Sequence, residues 1–260
     1  MTTERLSIAA FLLLIAVISI LLIRTARLVA KSGDSGAVLL LFALISLLVN
    51  DLYWIAYEAL RPDIRMPFAA NEFGEAAFYL LFCSAVSAVF RDRGEGRTEG
   101  IWAAVFALAS VGLWIAWSGE WVQDLMAAPV HVYYLYVTAV SLRRGDALAP
   151  REWRLWGGAA AALIAMQTAI FFVPGGLKSS LDLACYLLMF SVQAVLIVKA
   201  VRAIGSGLPA KTQLALSLGA MVWSVSVVYM SAGYWYVAGL LCEAVSMSAV
   251  QISFEREILR

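Results

Sequence analysis

LALSLGAMVWSVSVVYMSAGYWYVAGLLCEAVSMSAVQI, residues 214–252, holds no basic residue and a single acid, Glu243. As one helix this run would be about 58 Å long at 1.5 Å per residue, nearly twice the roughly 30 Å core of a bilayer. It must therefore fold back on itself, and Ser231-Ala232-Gly233 is the natural turn. Two apolar helices joined by a short turn point to an all-α protein that crosses a membrane repeatedly.

The rest of the chain repeats the pattern. Of 260 residues, 63% are hydrophobic and 14% charged, against about 25% charged in soluble domains. Apolar runs at residues 6–23, 37–60, 72–90, 101–117, 125–142, 155–173 and 181–201 precede the pair at 214–230 and 235–252. This makes nine expected transmembrane helices in one integral membrane domain, residues 1–260. Short alternating strands, the mark of a transmembrane barrel, do not occur. Arg24, Arg27 and Lys31 follow the first run, which is long and lacks a small-x-small cleavage site. A retained helix is expected there in place of a signal peptide. Pro129 is expected to kink the fifth span or mark its first turn, and Pro174-Gly175-Gly176 to end the sixth.

The basic residues give an independent reading of topology. Lys and Arg concentrate on the cytoplasmic side of a membrane protein. Fifteen of the nineteen follow the first, third, fifth, seventh and ninth runs; Arg5, Arg61, Arg65 and Lys178 fall on the other side. The expected arrangement is N-terminus outside and C-terminus cytoplasmic, in a cell membrane of the bacterial plasma-membrane type. The final FEREILR extends the ninth helix as a solvated end. A net charge of +1 leaves no basic surface for nucleic acid. Cys83, Cys185 and Cys242 lie in apolar runs without zinc or redox spacing, so they read as small core residues.

Most acids that this topology buries fall in its outer half. Residues 50–75, NDLYWIAYEALRPDIRMPFAANEFGE, are the richest segment. Asp51, Trp54 and Glu58 follow i, i+3, i+7 on one helical face, and Glu72, Glu75 and Tyr79 repeat that spacing on the next helix. The two helices are expected to be antiparallel neighbours with Glu58 and Glu75 at the same depth. Arg61 and Arg65 are their candidate counter-charges, to be displaced by a basic ligand. His131, Asp182 and Glu243 complete the candidate ligand-binding set. Each has a structural alternative. Glu72 suits a helix first turn, tyrosines and tryptophans suit the interfacial belt, and a lone histidine suits a hydrogen-bonded core. Asp51 and Glu243 lie deep in apolar helices; structural pairing is their alternative, and function is the leading reading because ionisable groups inside a bilayer are costly and mark function.

One histidine excludes bis-histidine haem ligation and an H-E-x-x-H zinc site. Lys178 and Lys199 sit at helix ends, unsuited to a mid-membrane Schiff base, and no nucleophile elbow or phosphate loop is present. No cofactor or metal is expected. The expectation is a binding, sensing or transport protein whose outward pocket takes a small polar or cationic ligand, with proton coupling through the acids. The competing classes are a membrane-embedded enzyme using paired carboxylates and a structural subunit that meets a membrane-protein partner or a second copy.

Overall fold

The computed structural model of the protein describes residues 3–60, 70–90, 97–118 and 121–260, with side chains except at 3, 4, 58, 70, 71, 97, 117, 118, 121–124 and 126. It is 90% helix, with no strand among the described residues. The helices there are α1 (Thr3–Ser32), α2 (Ser35–Leu60), α3 (Ala70–Val89), α4 (Arg97–Ser118), α5 (Trp121–Arg144), α6 (Pro150–Ile170), α7 (Gly175–Gly205), α8 (Ala210–Tyr229) and α9 (Tyr234–Ile258). Each expected span has its own helix. Seven are long and apolar enough to cross a membrane, which fits a helical membrane protein. The two outside that set are α5, which carries Pro129 and His131 in its interior, and α6, which carries Arg151, Glu152 and Arg154 among its first five residues.

Local chemistry sets the helix ends. Gly33 closes α1, its N–H donating to Val29 O at 2.9 Å, and Asp34 Oδ1 accepts from Ala37 N–H at 2.9 Å to cap α2. The turn expected within the C-terminal apolar run forms where the sequence places it. α8 stops at Tyr229 and α9 starts at Tyr234, and Gly233 takes φ 60°, which a side chain would strain. Two details differ from expectation. Pro129 lies inside α5 and not in its first turn, because that helix begins at Trp121, more than two turns earlier. Gly175 and Gly176 form the first turn of α7 instead of ending α6, since the Pro174 carbonyl accepts from both Leu177 and Lys178 N–H at 3.0 Å.

Six helices close a ring in the order α1, α2, α3, α5, α8, α9 and back to α1, and their buried side chains form the largest apolar core. α4 packs outside on α5, and α6 and α7 flank the free side of α8. The positions of α8 and α9 show in their burial: 61% and 56% of their most apolar windows, against 33% or less for the other five spans. A helix apolar all round belongs in such a place.

Without water between helices, association depends on close packing and on hydrogen bonds between side chains. Thr25 of α1 donates to Gln251 of α9 at 3.1 Å, and Ser224 of α8 meets Ser246 of α9 at 2.9 Å. Gln193 of α7 donates to Ser224 at 2.6 Å, and Trp223 to the Met189 carbonyl at 3.0 Å. Small residues bring backbones together. A Cβ on Gly145 would stand 2.7 Å from Ala215 Cβ of α8.

The two ends of the bundle differ in charge. Arg24–Glu255, Arg143–Glu99 and Lys199–Glu152 pair at one end, where Arg256 also donates to Gln213 and to the Ile204 carbonyl. At the other end, where α2 and α8 finish and α3, α5 and α9 begin, carboxylates gather instead.

Candidate functional site

The register of α2 against α3 sets the site. A Cβ on Gly74 would lie 3.2 Å from Asn50 Cβ, so these helices meet closely there and Glu75 comes to the level of Asp51. The expected pairing of Glu75 with Glu58 is thereby displaced. Glu58 lies seven residues further along α2, about 10 Å at the helical rise.

Asp51 is 7% exposed. Its Oδ1 accepts a 3.3 Å hydrogen bond from Asn50 Nδ2, while its buried Oδ2 has no partner. Glu75 accepts hydrogen bonds from Tyr79 of its own helix and from Tyr229 at the end of α8. Glu243, on α9, is half-buried and lies within electrostatic reach of both Asp51 and Glu75. Three helices therefore bring three carboxylates into one neighbourhood. Among the described residues none of the three has an ion-pair partner.

Aromatic rings surround this group. Tyr79 is buried, with its ring centroid 4.9 Å from that of Tyr134 and 6.2 Å from that of His131. Trp114 of α4 sits 4.7 Å from His131 and 6.3 Å from Tyr229, joining the outer helix to the ring. Tyr236 of α9 lies in the electrostatic reach of Glu243 and Asp51. His131 Nδ1 is 2.9 Å from the Ala127 carbonyl, which leaves its ring face to the aromatics. The Tyr134 hydroxyl and Asn50 Oδ1 are buried without hydrogen-bond partners, as is Asp51 Oδ2. Orphaned polar atoms are costly. Other such atoms lie elsewhere in the bundle, on Glu99, Ser141, Gln193, Ser231, Gln251 and Glu257. What distinguishes this group is that one of its three belongs to a carboxylate beside two others.

Asp51, Glu75, Tyr79, His131 and Glu243 are thus brought together. Two candidates go elsewhere. Trp54 turns to α1, its ring 4.8 Å from Phe11. Asp182 has Cys185 and Tyr186 of its own helix as electrostatic neighbours, beside the Tyr186–Trp235 stack at 5.3 Å. The side chain of Glu58, and Arg61 and Arg65 altogether, lie outside the described residues. Tyr134 and Trp114 join the site without having been singled out from the sequence. Their signal is weak, because an aromatic in an apolar helix looks the same whether it faces a pocket, a neighbour or lipid.

No set of three His, Cys, Asp or Glu side chains among the described residues is arranged to hold a metal ion. Comparison with protein-family models, with curated proteins and with solved structures returned no match.

Proposed function

We propose that the carboxylate cluster is the binding site of a small organic cation and that the protein transports or senses it across a cell membrane. In this reading all nine helices span, the N-terminus and the acidic end face outward, and the basic end faces the cytoplasm. The observation that carries it is the convergence of Asp51, Glu75 and Glu243 from α2, α3 and α9 with an unpartnered carboxylate oxygen on Asp51. Like charges gathered in low dielectric need compensation. Protons supply it at rest and a cation supplies it when bound, so the two exchange. The rings of Tyr79, Tyr134, Tyr236 and Trp114 provide faces for an ammonium group, each contact contributing about 0.5–2 kcal/mol.

The test is thermal stabilisation of the purified protein by a panel of organic ammonium compounds, with proton release followed in weak buffer. At least one compound is expected to raise the melting temperature and release protons, and Asp51→Asn, Glu75→Gln and Glu243→Gln are expected to lose both effects. Glu152→Gln, at the opposite end, keeps them. A panel without effect, or stabilisation that survives all three substitutions, rejects the site.

A further inference from the structure

At the basic end, between the last turns of α1 and α9, lies a pocket of about 170 Å³ lined by Arg24, Arg27, Leu28, Lys31, Glu255 and Leu259. At about 30 Å³ per water in the liquid, it has room for a group several waters in size. Arg24, Arg27 and Lys31 are spaced i, i+3, i+7 and so share one face of α1, where like charges repel. One of the three is answered: Arg24 pairs with Glu255 at 2.6 Å. Among the described residues Arg27 and Lys31 have no ion-pair partner, so the pocket keeps an excess of two positive charges.

Its setting fits one kind of anion. The three cations begin where the apolar run of residues 6–23 stops, at the height where a bilayer gives way to water. Leu28 and Leu259 add apolar walls between the charged groups. A guanidinium with an ammonium matches phosphate oxygens, and the leucines match the start of an acyl chain. Basic pockets between helices on the cytoplasmic side are suited to phosphate-bearing head groups.

We propose that this α1–α9 pocket is a site for the phosphate of an anionic membrane lipid, held by Arg27 and Lys31 with Arg24 steadied by Glu255. The inference stands apart from the carboxylate cluster and does not depend on what that cluster binds. Because α9 also carries Glu243, a lipid clamping its end to α1 steadies the helix that bears one of the three carboxylates.

The experiment uses the full chain in phosphatidylcholine nanodiscs titrated with phosphatidylglycerol, with bound lipid read by native mass spectrometry and stability by melting temperature. The expected result is saturable retention of phosphatidylglycerol over phosphatidylcholine. Each basic residue near a membrane surface contributes about fivefold in binding, so Arg27→Gln with Lys31→Gln is expected to lower retention on the order of thirtyfold. The charge-matched pair Arg151→Gln with Arg154→Gln leaves it unchanged, and both pairs melt with the unmodified protein in phosphatidylcholine alone. Equal loss in the two pairs would show a diffuse surface potential and overturn the site, as would the absence of preference for phosphatidylglycerol. Inorganic phosphate is the remaining arm. If it stabilises the protein at millimolar concentration and phosphatidylglycerol does no better, the occupant is a free anion and the lipid assignment fails.

Discussion

Glu243 and Asp51 lie in apolar helices and have no cationic partner among the described residues. Removing an unpaired charge should cost little, whereas removing one half of a buried pair strands the other at about 3–5 kcal/mol. Glu243→Gln is therefore expected to change stability by about 1 kcal/mol or less while abolishing the cation response. Asp51→Leu goes further, since replacing a poorly satisfied buried polar group with an apolar one stabilises, here by on the order of 1 kcal/mol. Chemical or thermal denaturation in detergent measures both. A loss of several kcal/mol in either variant would reveal a hidden counter-charge and remove the basis for a cation site. These two acids were legible in the sequence because depth follows from the position of the apolar run alone. Trp54 was not. At about 100° per residue it stands some 60° round the helix from Asp51, enough to pass from the pocket to Phe11 of α1. The face shared by i and i+3 is wide, and only knowledge of the neighbouring helix decides which side a ring takes.

Between elements the contacts are short and specific. Gly145 follows α5 where the chain crosses α8, and its carbonyl accepts from Thr212 at 2.7 Å. With Ala215 Cβ 2.7 Å and Ser141 O 3.0 Å from where its own Cβ would be, Gly145→Ala must push the helices apart. Overpacking of this kind costs about 1–3 kcal/mol; a melting temperature equal to that of the unmodified protein would show that the approach is looser than drawn. The α6–α7 contact adds an ion pair to its apolar packing. Lys199 donates to Glu152 and holds its carboxyl below the usual carboxylate range, with a second bond from Ala149 N–H. A carboxyl whose folded value is depressed adds stability above its unfolded value, near pH 4, and loses it as pH falls through the folded value. Side chains that are 33% and 30% exposed limit the effect to about 1 kcal/mol. Stability should therefore drop on acidification below about pH 4, and Glu152→Gln should flatten that part of the profile. An unchanged profile would mean the pair forms no net interaction. Helix positions were readable from apolar periodicity, the turn at Ser231–Gly233 from composition, and the α2–α3 pairing from their short connection, but contacts between helices distant in the chain were not. The ring order α3, α5, α8 skips chain neighbours, and Asp182 fell away from the other acids because α7 lies outside that ring.

At the scale of the molecule, charge asymmetry gives the structure a direction. Ion pairs and basic side chains lace one end and carboxylates with tyrosines occupy the other, the asymmetry from which the proposed orientation is read. The proposed nine crossings, with the N-terminus outside, would place the α3–α4 connection inside and the α6–α7 connection outside. If α5 and α6, the two helices outside the apolar set, did not cross, both connections would still fall on their assigned sides only when the pair was lost together. Losing one would put Gly94 and Gly176 on the same side. Single cysteines at these positions separate the cases. Gly94 lies in the connection outside the described residues, and Gly176 in the first turn of α7. The background must lack Cys242, which is partly accessible, and Cys83 and Cys185, which are buried. In intact cells an impermeant maleimide is expected to label Gly176→Cys at once and Gly94→Cys only after the membrane is opened. A third cysteine at Gly145, between α5 and α6, would be uninformative because a side chain there is already strained, so Asp146→Cys serves instead and should label as Gly94→Cys does. Its positive φ of 45° costs the variant some stability without moving the connection across the membrane. Labelling of Asp146→Cys from outside, with Gly94→Cys still protected, would remove α5 from the spanning set and overturn the nine-crossing arrangement.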